Sequence, residues 1–61
     1  MESLKKFREN LGKTQEEMAK DLGISKSFYE KIEIGAKKPG RDLIKKFKTM
    51  YPYLDVNIFL L

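Results

Sequence analysis

The apolar positions of the chain recur with the period of an amphipathic helix in four segments. In the first, about residues 2–11, Leu4, Phe7 and Leu11 are spaced by three and then four residues and share one helix face. Gly12 follows, and glycine readily takes the left-handed conformation that ends a helix. The pattern therefore predicts a first helix whose apolar face is turned toward a core.

Two short helical segments follow and are joined by a glycine. Thr14 and Glu17 have the spacing of a capping box, which predicts that the second helix starts at about residue 14. Gly23 permits a sharp turn, and Ser25 can cap a third helix that runs to about residue 34. Two helices across a tight turn are typical of a helix-turn-helix unit. The side chains predicted to face inward in this pair are Met18, Ala19, Leu22, Ile24, Tyr29 and Ile32.

A fourth apolar stripe predicts a helix over about residues 41–51, which Pro52 ends. The tail after this proline is strongly apolar, and Asp55 can cap a last helical turn from Val56 to Leu60. We therefore expect an all-α fold, a compact four- to five-helix bundle. Residues 1–61 would form one domain, with residues 52–61 as a short fifth helix or a dimerisation tail. The predicted stripe consists of Leu43, Ile44, Phe47, Met50 and Tyr51.

Composition excludes several kinds of chemistry. The 61 residues include no cysteine and no histidine, so thiolate metal sites and hydrolysis by a serine or cysteine paired with histidine are excluded. Paired carboxylates need a concave pocket, for which so short a chain has little room. We predict that the protein is not an enzyme, takes no small-molecule substrate, and needs no metal and no cofactor.

The net charge favours an anionic partner. Thirteen lysines and arginines against nine acidic residues give +4 and an isoelectric point of about 9.4, which suits a phosphate backbone. Charge alone fits a merely solvated surface equally well. No apolar run approaches the roughly 18 residues of a membrane span, and the N-terminus lacks the apolar core of a signal peptide. A cytoplasmic location and no membrane contact are expected.

Residues 11–39, LGKTQEEMAKDLGISKSFYEKIEIGAKKP, resemble the phage-repressor (XRE-type, Cro-like) helix-turn-helix family. The resemblance extends over about residues 4–50. It implies a lambda-repressor-like DNA-binding domain whose third helix enters the major groove of double-stranded DNA. Two positions depart from the family pattern, since Ile34 stands where asparagine is frequent and Gly40 replaces the usual serine cap.

The outward positions of the third helix are the candidates for reading bases. Phe28 could press on a thymine methyl group or pack at the rim of the core, and we weigh these alternatives equally. The resemblance implies that Gln15 contacts phosphate, and that Arg8 and Glu33 form an ion pair between the first and third helices. The alternative for this pair is two exposed charges. The predicted base-reading residues are Lys26, Ser27, Phe28 and Lys31, and the predicted backbone-contacting residues are Gln15, Lys37, Lys38 and Arg41.

The apolar tail allows two interpretations. It could complete the monomer core, or it could form a dimer patch together with the fourth helix. We expect a mixture of the two. The predicted function is a sequence-specific transcriptional regulator, a repressor that binds DNA as a homodimer. The alternative is a protein-interaction module of antitoxin or antirepressor type that binds a protein through the tail. The predicted dimer patch consists of Val56, Ile58, Phe59, Leu60 and Leu61.

Overall fold

The computed structural model describes residues 3–59, and in this range it contains only helices and loops. The observed elements confirm the predicted all-α fold. The helices predicted from the sequence all occur, with ends that differ by one or two residues. The last turn is described over Val56–Phe59, and the predicted end of this turn, Leu60, lies outside the described residues. The elements are α1 (Leu4–Asn10), α2 (Gln15–Leu22), α3 (Lys26–Glu33), α4 (Arg41–Met50) and a final 3-10 helix (Val56–Phe59).

Hydroxyl side chains cap the first three helices. Glu17 N donates to Thr14 Oγ1 at 3.1 Å, and Thr14 N donates back to Glu17 Oε1 at 2.8 Å, so the predicted capping box is formed. Phe28 N donates to Ser25 Oγ at 3.1 Å at the start of α3. Ser3 caps α1 in the same way. These caps fix where each helix begins, and therefore which residues of α3 lie at its exposed end.

The turn between α2 and α3 depends on Gly23. Its φ of 71° lies in the left-handed region, where a side chain would strain the backbone. Ile24 N donates to Ala19 O at 3.0 Å immediately after this glycine, which closes the turn tightly. The two helices pack closely beside it, and Ala19, only 2% exposed, is small enough for that contact. The turn thus sets the direction in which α3 projects.

The core lies between the four helices and the tail. Met18, Tyr29 and Phe47 are fully buried at its centre. The tail contributes to it directly, because Leu54 is 3% exposed and Ile58 is 6% exposed. No helix within residues 3–59 is long and apolar enough to cross a membrane. The buried apolar residues are Leu4, Phe7, Met18, Ala19, Leu22, Tyr29, Ile32, Phe47, Tyr51, Leu54 and Ile58.

The predicted stripe of α4 is only partly confirmed. Phe47 is fully buried, but Leu43 and Ile44 are half-buried and Met50 is exposed. Tyr51 is buried, and the chain after α4 supplies further buried side chains of its own. Lys48 Nζ holds that chain in place, since it donates to Pro52 O at 2.8 Å and to Leu54 O at 2.7 Å. The tail is therefore part of the fold.

Candidate nucleic-acid interface

A largely buried polar network fixes the inward side of α3. Arg8 Nε donates to Glu33 Oε2 at 2.9 Å, and Arg8 Nη2 donates to Glu33 Oε1 at 3.1 Å. The side chains are 11% and 3% exposed, respectively. Gln15 Nε2 donates to the same carboxylate at 3.1 Å, and Arg8 Nη1 donates to Lys13 O at 2.8 Å. One carboxylate thus joins α1, the start of α2 and the end of α3.

The directions of the pKa shifts favour the charged form of both partners. The hydrogen bond to Glu33 raises the pKa of Arg8 above its ordinary value. Burial by itself would raise the pKa of Glu33, but the hydrogen bonds from its neighbours, Arg8 first, outweigh burial and lower it. A bidentate arginine and carboxylate pair has a fixed geometry as well as a favourable energy. The network is therefore suited to holding α3 in one position.

The hydroxyl group of Tyr29 lies beside this network. It is buried and makes no hydrogen bond of normal geometry with any described residue. Burial, reinforced by the Glu33 carboxylate, raises the pKa of this hydroxyl, so it stays protonated. The ring itself is fully buried among core residues. Tyr29 therefore contributes through packing, and its oxygen adds little to the fold.

The outward side of α3 carries three polar side chains with no internal partner. Lys26, Ser27 and Lys31 are all exposed. Among the described residues, none of these three side chains has a hydrogen bond or an ion pair. Ser27 and Lys31 are four positions apart and therefore lie side by side on one face of the helix, whereas Lys26 lies at its first position. All three are thus available to an external ligand.

Phe28 differs from its neighbours on α3. It is half-buried and packs against the core, which matches the alternative of a position at the core rim. Only part of its ring is open to a ligand. Phe28 is therefore less accessible to a ligand than the two lysines and the serine.

A wide, open cleft of about 390 Å³ lies at the starts of α2 and α3. It brings together Gln15 and Lys26, which belong to different helices. The amide nitrogen of Gln15 has two hydrogens, and one of them is used by Glu33. The other can therefore bind an external acceptor. The cleft is lined by Arg8, Thr14, Gln15, Glu16 and Lys26.

The loop after α3 carries the remaining basic candidates. Lys37 and Lys38 are exposed and line a second cavity of about 240 Å³ beside the end of α3. Arg41 is exposed at the start of α4. No hydrogen bond or ion pair joins Arg41 to another of these candidates within residues 3–59. The three cations therefore extend the basic surface along the loop without forming a single closed pocket.

One exposed residue of this surface was not identified from the sequence as a site residue. Ile34 follows the last residue of α3 and is 78% exposed, more than Tyr53 at 72%. Sequence reasoning treated it only as a departure from the family pattern. The spacing along the chain could have identified it. Ile34 comes seven residues after Ser27, which is close to two helical turns and predicts a position on the same outward face.

The described residues of the predicted dimer patch differ in their exposure. Ile58 is buried and belongs to the monomer core, so its placement on an exposed patch is wrong. Phe59 is half-buried and packs on Phe47, with ring centroids 4.9 Å apart. Val56 is 42% exposed and remains accessible. The patch residues Leu60 and Leu61 lie outside the described residues.

Comparison with known proteins gives matches that agree with this geometry. The chain matches the family model described as "Helix-turn-helix domain" over residues 1–59. It is 41% identical over 54 residues to a protein of Archaeoglobus fulgidus named "Uncharacterized HTH-type transcriptional regulator". The alignment covers 88% of this chain and 24% of that relative, so the chain spans about a quarter of the length of the curated relative it matches. No solved structure gives a significant match. Together with the capped pair of helices around Gly23, the family match shows that the chain belongs to the XRE-type helix-turn-helix family.

Proposed function

We propose that this protein is a sequence-specific DNA-binding transcriptional regulator that inserts α3 into the major groove. The observation that carries the proposal is the outward face of α3. Lys26, Ser27 and Lys31 have no partner in the described part of the protein, while Glu33 on the inward side is held by two other helices. A rigid helix with free polar side chains has the form that base reading requires.

Base contacts follow from the chemistry of the three exposed side chains. The ammonium groups of Lys26 and Lys31 donate to the O6 and N7 atoms of guanine. The hydroxyl of Ser27 donates to or accepts from a base edge. The exposed edge of Phe28 adds an apolar contact. These residues would set which sequence is bound.

Backbone contacts would supply most of the affinity. Lys37, Lys38 and Arg41 lie beside or after α3 and meet phosphate groups that flank the groove. Gln15 binds a phosphate at the start of α2 with the amide hydrogen that Glu33 leaves free. These contacts position the protein and do not distinguish sequences.

We further propose that the protein acts as a homodimer and as a repressor. One helix-turn-helix unit reads one half-site, and two-fold dimers read two half-sites about one helical turn apart. Among the patch residues that the structure describes, Val56 is exposed. Repression requires only that the bound protein occupies its site, whereas activation requires a further surface for another protein.

A second candidate function is that of a protein-interaction module. The exposed side chain of Tyr53 favours it, because a large aromatic group at 72% exposure suits a protein contact. The burial of Leu54 and Ile58 counts against it, since these two apolar side chains of the tail are used by the core. DNA binding is therefore the better supported function.

Selection from a pool of random DNA duplexes tests the proposal. We expect an enriched motif of two related half-sites spaced by about 10 base pairs. Affinity for it should fall with salt, and Lys38→Ala should reduce the slope of log K against log salt by about one phosphate contact. Lys5→Ala on α1 is the matched control and should leave the slope unchanged. If no motif is enriched while the chain binds a protein partner through Tyr53, the second function replaces the first.

A further inference from the structure

We propose that Ile34 is a specificity-determining residue that packs against the C5-methyl group of a thymine in the bound site. This inference rests on the proposed DNA-binding function and deepens it. The contact is apolar and lies at the end of α3, whereas the polar residues proposed to read bases lie earlier on this helix.

The exposure of Ile34 is the first observation. At 78% it is the most exposed of the large apolar side chains that the structure describes. Single exposed apolar residues are ordinary on protein surfaces. Exposure therefore carries the inference only when it is combined with the direction of the side chain and the charges around it.

The direction follows from the backbone. Ile34 N donates to Glu30 O at 3.1 Å, so this residue continues the hydrogen-bond pattern of the helix. Ser27 lies seven residues earlier, which is close to two helical turns, and both side chains therefore point the same way. The rise between them is about 10.5 Å, from about 1.5 Å per residue.

The charges near Ile34 favour DNA over a second copy of the chain. Lys37 and Lys38 line the same cavity as Ile34, and Lys31 lies one turn earlier on the outward face. The acidic residue next to Ile34 on that face is Glu30, and Glu33 is already bound by Arg8. Two copies meeting here would bring their lysines together across a two-fold axis, which is unfavourable. A DNA backbone complements the same lysines.

The chemistry of the side chain selects the group that it contacts. Isoleucine has no donor or acceptor, so it cannot read the polar edge of a base. The exposed apolar group of the major groove is the C5-methyl of thymine. Phe28, the other apolar candidate on α3, is half-buried against the core and is less available. Ile34 would therefore favour a thymine at one position of the bound site.

The test uses the duplex selected by the wild-type chain, with each thymine replaced in turn by uracil. Uracil removes the methyl group and keeps base pairing. We expect one position at which uracil weakens wild-type binding by about fourfold, the effect of losing one buried methyl group. Ile34→Ala should bind the thymine and uracil duplexes equally at that position. Tyr53→Ala, which removes a comparably exposed apolar side chain, should retain the wild-type preference.

Three results would overturn the inference. Uracil could weaken wild-type and Ile34→Ala binding equally at every position. Ile34→Ala could weaken binding to all sequences alike, which would indicate a sugar contact. It could also lower self-association in sedimentation while monomer binding to a single half-site is unchanged, which would make a second copy the occupant. Failure of the wild-type chain to select any motif would instead refute the proposed function, so the two failures are distinguishable.

Discussion

The two sides of α3 differ in the partners of their polar groups. On the inward side, Glu33 accepts hydrogen bonds from Arg8 and Gln15 and is almost fully buried. On the outward side, Lys26 and Lys31 have no partner within residues 3–59. The residues that hold α3 in position are therefore separate from those that are exposed to a ligand. Substitutions on the inward side should therefore change stability, and those on the outward side should change binding.

The largest effect is expected from Glu33→Ala. It leaves the guanidinium of Arg8 without its partner in a largely buried site, and such a loss lowers the free energy of unfolding by about 3 kcal/mol. This is comparable with the total stability of so small a domain, which is about 3–5 kcal/mol. Urea denaturation measures it. The matched control is Glu30→Ala on the outward side, which should cost less than about 0.5 kcal/mol. Equal losses for the two variants would refute the division between the sides.

A smaller effect, on binding alone, is expected from Ser27→Ala and Lys31→Ala. Each should reduce discrimination against a wrong base by about 1–3 kcal/mol. Their melting temperatures should stay close to that of the wild type, since neither side chain has an internal partner. Fluorescence anisotropy with the selected duplex and with single-base variants measures the discrimination. A large fall in melting temperature would show that the outward side also supports the fold.

The inward network should make stability depend on pH. The pKa of Glu33 is lowered from 4.5 in the folded protein, so the unfolded chain binds a proton first as the pH falls. The stabilisation is therefore present above pH 4.5 and is lost as the pH drops through the lowered value. Glu33→Gln should flatten the dependence of the melting temperature on pH in this range. The hydrogen bonds of the capping box also lower the pKa of Glu17. The variant should therefore keep part of the dependence of its melting temperature on pH. An unchanged slope in the variant would contradict the role given to Glu33.

The smallest effect is expected from Tyr29→Phe. The hydroxyl is buried without a hydrogen bond, so its removal should change the free energy of unfolding by less than about 1 kcal/mol and could increase it. Thermal unfolding measures the change. A loss above about 2 kcal/mol would mean that the hydroxyl is a member of the Glu33 network. The ring must be kept, because Tyr29 is fully buried in the core.

Local features of the fold were predictable from the sequence because they depend on residues close together in the chain. The capping box of Thr14 and Glu17 spans three residues, and the left-handed turn requires only Gly23. The exposed positions of α3 followed from helical periodicity once its cap, Ser25, was identified. Element bounds were therefore predicted to within one or two residues over most of the described chain.

Features that depend on residues far apart in the chain were harder to predict from the sequence. The hydrogen bonds between Arg8 and Glu33 join residues 25 positions apart, and only the family resemblance implied them. The exposure of Met50 and the burial of Ile58 depend on how the tail folds back, which Lys48 fixes through the carbonyl groups of residues 52 and 54. Periodicity alone does not show which apolar residues of α4 and which of the tail are buried in the core.

Nuclear magnetic resonance of the isotope-labelled chain bound to its selected duplex tests whether the outward side of α3 contacts the bases. We expect intermolecular NOEs from the side chains of Lys26, Ser27 and Lys31 to base protons of the major groove. Arg8 and Glu33 should show none, because they face inward. The placement of α3 in the groove would be refuted by NOEs confined to residues 53–59, with the chemical shifts of Lys26, Ser27 and Lys31 unchanged when the duplex is added.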